Sequence, residues 1–222
     1  EVFPEARFGD QLVIGDAPGP RSRPAAETAE AQVARPPEGN LVRNGSFEAG
    51  VGHGWGSATK IVPLSSELLA AGDAADGQMC LLSQRPDDAA SVLPIVTQEY
   101  PIPTESPYTL SAWFKGAPGA RMSLSLKTIQ KGKDKVVLTT ALKGADKWER
   151  AVVAGDLAPG RYFIEIGGQG LFRVDAVQLE AGGQATDFRP KAPVEAGLRA
   201  DIPGRVFFAG EPARFDLTLA AS

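Results

Sequence analysis

The chain has 222 residues, 43% of them hydrophobic, enough for one large β domain with a full core and too many for a disordered chain. A net charge of −4 argues against nucleic-acid binding, which calls for a clustered basic face, and a single cysteine, Cys80, excludes an intrachain disulfide or a cysteine metal cluster. No run of about 18 apolar residues is present to span a bilayer, and a chain opening on Glu1 reads as a piece of a longer protein whose targeting signal lies elsewhere.

In chain order, Ala6 to Gly15 reads as the last strand of a preceding β domain, within a segment 1–15. Residues 16–37, rich in Pro, Ala and Glu, read as a linker. Then comes Asn40-Leu-Val-Arg-Asn-Gly-Ser-Phe-Glu-Ala-Gly50, read as an opening strand at 41–48 and its turn, with Gly54-Trp55 just after. Further strands are expected at 59–65, 77–84, 92–100, 107–116, 121–129, 136–142, 147–155, 161–167 and 171–180. Helix signals are nearly absent: Glu27 to Val33 has room for a turn, but Pro24, Pro36 and Pro37 bound it.

Alternation is clearest in Tyr108-Thr-Leu-Ser-Ala-Trp-Phe-Lys115 and in Met122, Leu124 and Leu126 against Ser123, Ser125 and Lys127. In the last strand the phase slips near Asp175, so that Val174 and Val177 do not alternate cleanly. Turn signals fall between the runs at Pro118-Gly119, Lys131-Gly-Lys-Asp134, Pro159-Gly160 and Gly167-Gly168. The lysine-dense stretch Lys127 to Lys135 reads as a solvated hairpin loop. Cys80, between Met79 and Leu81, reads as a buried, inert thiol. Many short strands with Gly and Pro turns mean an all-β sandwich or jelly roll.

The opening segment and the closing Leu171-Phe-Arg-Val-Asp-Ala-Val-Gln-Leu-Glu180 together resemble the first and last strands of galactose-binding-like jelly-roll modules, which include carbohydrate-binding modules of the four/nine type from secreted glycoside hydrolases. The resemblance covers roughly 38–190. It implies a jelly-roll β-sandwich that binds polysaccharide without catalysis, as an accessory to a tethered catalytic domain outside a bacterial cell. It also implies a structural Ca²⁺ held by Glu48 and Asp175, which match the family pattern residue for residue, with carbonyl oxygens near Asn40 and Ser46 as further ligands; Ala49 departs from the acidic residue that many members carry there. Two carboxylates plus carbonyls suit calcium chemically. The plainer reading makes Glu48 a solvated turn residue and Asp175 a loop cap. Residues 191–222, with Val206-Phe-Phe and Phe215 to Leu219, resemble the start of an immunoglobulin-like domain; alternatively both terminal segments pack on the central sandwich.

Trp113 is out of phase with Leu110, Ala112 and Phe114 and shares a face with Thr109, Ser111 and Lys115. An aromatic on a polar strand face is a platform for the apolar face of a sugar ring. Lys115, Lys127, Ser125 and Glu165 are expected to line the same face, and Trp55 is a second aromatic candidate. Trp148 is read as mostly structural. His53, the only histidine, lies in a Gly-rich loop and reads as plain surface. No Gly-x-Ser-x-Gly elbow, phosphate loop, dinucleotide fingerprint or His-Glu-x-x-His is present. An enzyme with two carboxylates facing across a cleft is a third reading, for which no pair among the acidic residues is singled out. A ligand-free spacer, as in phage-tail and cell-surface proteins with similar closing strands, is the competing reading.

Overall fold

A computed structural model describes residues 36–50, 54–57, 69–83, 95–97, 99–200 and 215–221. The expected strands at 6–15 and 59–65, most of the linker, His53 and Val206 to Phe208 lie outside them. The chain divides into two compact units, one of Ala34–Arg199 with Asp216–Ser222 and one of Glu1–Val33 with Ala200–Phe215; the described residues belong almost wholly to the first.

That unit is all β. Its strands are β1 (Trp55–Ser57), β2 (Leu69–Ala71), β3 (Met79–Ser83), β4 (Ile95–Thr97), β5 (Tyr100–Ile102), β6 (Ser106–Gly116), β7 (Arg121–Gln130), β8 (Lys133–Lys143), β9 (Glu149–Leu157), β10 (Gly160–Gln169), β11 (Phe172–Ala181), β12 (Val194–Ala200) and β13 (Phe215–Ala221). One sheet runs β1-β4-β10-β7-β8, with β5 also on β10; the other runs β2-β3-β11-β6-β9. Pairing within both is antiparallel. This is a jelly-roll type β-sandwich, as the alternation indicates. Among the described residues of the 191–222 region, β12 and β13 form a two-stranded sheet of their own.

The core is the period-two pattern made solid. Tyr108, Leu110, Ala112 and Phe114 of β6, Leu124 and Leu126 of β7, Ile164 and Ile166 of β10, and Val174 and Leu179 of β11 are almost wholly buried between the sheets. Burying a side chain of this size is worth about 1.5–3 kcal/mol. The hairpin from β7 to β8 turns on Lys131 and Gly132 at φ 52° and 75°, the two left-handed residues that a tight two-residue hairpin needs.

One expectation is corrected and one is borne out. Residues 41–48 are not a strand. Asn44 and Phe47 sit at φ 51° and 61°, which coils the segment into consecutive turns. It still lies along the closing strand, with Leu41 N donating to Leu179 O at 2.8 Å and Val177 N to Gly45 O at 2.9 Å. The phase slip at Asp175 is real: pairing with β6 shifts between Asp175 and Gln178, and Ala176 stands at φ 49°. The extra residue is a β-bulge, which turns one side chain aside without losing the ladder.

Candidate functional site

The bulge places Asp175 against the loop that joins β2 to β3. Asp175 is fully buried; its Oδ2 accepts from the Ala75 and Asp76 amides at 2.7 and 2.9 Å and its Oδ1 from Ala176 at 2.6 Å. Burial pushes its carboxyl up to about 7 despite those donors. Glu48 holds the other end of the same loop, its Oε1 accepting from Gln78 and Met79 at 2.7 and 2.6 Å. Gly77, at φ 69°, lies so close that a Cβ there would meet Glu48 Oε1 at 2.5 Å. Burial, with the Glu48 charge second, raises Asp76 as well.

The expected calcium pair is therefore gathered on one loop, and each carboxylate keeps lone pairs beyond those the amides use. Glu48 and Asp175 fit a cation in charge. Among the described residues no three His, Cys, Asp or Glu side chains are arranged to hold a metal. The Asn40 side chain does not fit as a ligand. Its Oδ1 accepts from Val42 and Leu179, and its Nδ2 donates to Val177 O and Arg189 O, which exhausts the group. Asn40 is a lock between the opening segment and β11. Ser46 is buried in the turn.

Cys80, on β3, is fully buried, and its Sγ lies 3.3 Å from the Asp73 carbonyl. Burial, reinforced by the Asp175 charge, pushes the thiol up to about 11. The thiol is thus inert, as the sequence indicates. The native chain should leave an aromatic disulfide reagent such as DTNB unconsumed at about pH 8, and urea-unfolded chain should react fully. Rapid reaction of the folded chain would show that the β2–β3 loop opens readily.

Trp113 lies on the outer face of the second sheet, half-buried, with Arg150 of β9 and Asp175 of β11 as cross-strand neighbours. The face has two halves. At one end Thr109 and Ser111 are buried, because residues 182–189 fold back over them. Thr109 Oγ1 donates to Gly182 O, Arg150 Nη2 donates to Ser111 Oγ and Thr186 O, and Gln178 and Glu180 hold Thr186. At the other end stand Lys115, Arg173 and Trp148, gathered around Asp73. The Lys115 hydrogen bond does most to hold the Asp73 carboxyl below its usual range.

The other site expectations come apart. Lys127 and Glu165 do pair, at 2.6 Å, but on the outer face of the first sheet, beside Ser125 and Thr139. The link Ala117 to Ala120 carries the chain from one sheet to the other between β6 and β7, so Lys127 and Glu165 cannot share a face with Trp113 and Lys115. Trp55 is 5% exposed, donates from Nε1 to Asn44 O at 2.9 Å and packs on Phe47 with ring centroids 5.0 Å apart. It is a core aromatic of the opening turn with no face left for a ligand.

Sequence reasoning passed over Asp73, Arg150 and Arg173, and set Trp148 aside. Trp148 and Arg150 alternate on one strand edge, which was a readable signal; Asp73, in a loop, carried none.

No protein-family model matches the chain, and no curated protein matches it. Among solved structures it is similar to several carbohydrate-binding modules. One is a CBM61 module in complex with β-1,4-galactotriose, 17% identical, covering 64% of this chain and 99% of that one at a TM-score of 0.47. Another is the CBM22-1 xylan-binding domain of Xyn10C from Paenibacillus barcinonensis, 16% identical, covering 63% and 93% at 0.45. A third is a xylan-binding CBM22 domain, 13% identical, covering 67% and 98% at 0.48.

Proposed function

We propose that this chain binds a polysaccharide without transforming it, through the open half of the Trp113 face, as an accessory module of a larger glycan-active enzyme outside a bacterial cell. The single observation that carries the reading is Trp113 itself: an indole left partly exposed on a sheet face, with Arg150 opposite it and Lys115 two residues along its own strand. An indole supplies a flat apolar surface for the ring, and the cations and indole N–H supply donors for its hydroxyls. Commitment of the four acids nearest the two outer faces and the β2–β3 loop is in keeping with a non-catalytic role. Asp175 and Glu48 are held by backbone amides, Glu165 by Lys127, and Asp73 by Lys115 and Arg173. Calcium belongs to the same proposal as a scaffold ion, with Glu48 and Asp175 as its carboxylate ligands; it would fix the β2–β3 loop beside the binding face.

Affinity gels across a panel of plant, algal and bacterial glycans test the reading. At least one glycan should retard the chain, and Trp113→Ala should weaken that binding by roughly tenfold or more, about 1.4 kcal/mol. A panel without a single binder would favour the spacer reading.

A further inference from the structure

The donors around Asp73 form a receptor for a carboxylate. Lys115 Nζ reaches its Oδ1 and Oδ2 at 3.2 and 3.0 Å, Arg173 Nη1 reaches Oδ2 at 2.9 Å, and Trp148 Nε1 reaches Oδ1 at 3.3 Å. Lys115 is paired with Arg173 across β6 and β11, and Trp148 stands directly before β9, whose first residue, Glu149, is opposite Phe114. Two donors therefore stand side by side on adjacent strands and the third at the entry to the next strand, whereas the acceptor comes from a loop. An ammonium, a guanidinium and an indole N–H converging on one point are the groups that recognise a carboxylate.

The arrangement is open to solutes: the Lys115, Arg173 and Asp73 side chains are 21%, 33% and 36% exposed. Arg150 stands opposite Trp113, in the covered half of the face. Two cations thus flank one partly exposed carboxylate. An exposed ion pair of this kind contributes little to stability, so a ligand can displace it at small cost.

We propose that Lys115, Arg173 and Trp148 form a subsite for the carboxylate of an acidic sugar, a uronate, with Asp73 as an internal stand-in that yields when the ligand binds. The proposal rests on the Trp113 face being a glycan site. Binding is an exchange of one carboxylate for another on the same donors; no bond is made or broken.

Calorimetric titration of the whole chain with hexagalacturonate and with neutral xylohexaose tests it. Asp73→Asn keeps the side-chain shape and removes the competing charge. It should bind hexagalacturonate roughly two- to fivefold more tightly than the parent and leave xylohexaose affinity unchanged. Lys115→Gln should lose the preference for the acidic oligomer, and added salt should erode that preference in the parent. Circular-dichroism melts of both variants confirm folding. If Asp73→Asn binds hexagalacturonate no better than the parent while a neutral glycan still binds in a Trp113-dependent way, the acidic subsite is wrong and the glycan face stands. If neither oligomer nor any glycan of the panel binds parent or variant, both readings fall together.

Discussion

Gly45→Ala should cost this protein about 3 kcal/mol, a large part of the 5–15 kcal/mol that holds a typical domain folded. A Cβ on Gly45 would run into the carbonyl oxygen of Val177, and it would stand 3.2 Å from the carbonyl carbon and 3.5 Å from Phe188 Cε2. The obstacle is backbone, so no rotamer change relieves it. The opening turn would have to lift away from β11, breaking the bond from Val177 N to Gly45 O and loosening the Asn40 lock beside it. Urea unfolding reads the loss directly. Gly56→Ala, where an added Cβ meets nothing within 4 Å, is the control and should change stability little. Equal stability of the two variants would mean that the turn does not seat on the bulge as described. The Asn-Gly pair of the opening motif is thus a packing requirement between two segments about 130 residues apart in the chain.

The second large effect is a pH dependence of opposite sign to that of ordinary carboxylates. Asp175 titrates near 3.9 when unfolded and at about 7 when folded, because burial outweighs its three amide donors. Between those values the folded state holds the proton and the unfolded state has lost it. The contribution is therefore fully present below about pH 4 and is lost as pH rises through about 7, at roughly 1.4 kcal/mol for each unit of pKa difference. In buffer containing a chelator, the unfolding free energy should fall across that window, and Asp175→Asn should flatten this part of the profile. Calcium bound to Glu48 and Asp175 favours the charged carboxylate, so saturating Ca²⁺ should remove the fall and raise the melting temperature near pH 8. A profile that calcium leaves untouched would mean that the two carboxylates hold the β2–β3 loop through backbone amides alone.

Much of this was legible in the sequence. Alternation over β6, β7, β10 and β11 located the core residues, because a pleated strand turns alternate side chains to one side and only the apolar set tolerates burial. The broken phase at Asp175 announced the bulge. Cys80 between apolar neighbours announced a shielded thiol. Glu48 and Asp175 were read as partners, and they do meet the same loop.

The limits are equally specific. A period of two says which side of a strand is apolar but not which sheet the strand joins, since the two outer faces of a sandwich present the same polar pattern. Trp113 with Lys115, and Lys127 with Glu165, therefore looked like one surface until the crossing between β6 and β7 separated them. The opening segment has strand-like residues, yet Asn44 and Phe47 adopt left-handed conformations because the turn must fit Val177 and the Asn40 lock. Trp55, the second aromatic candidate for ligand contact, is buried against Phe47, a neighbour chosen by that same turn. Asp73 had no signal at all: its meaning comes from donors on β6, on β11 and at the entry to β9, which only the folded sheet brings together. The sequence by itself determined the period, the core and some of the residues able to do chemistry; the tertiary structure added Asp73, Arg150 and Arg173 and decided which of them face the same water, because strand order is settled by long-range pairing that local pattern does not encode.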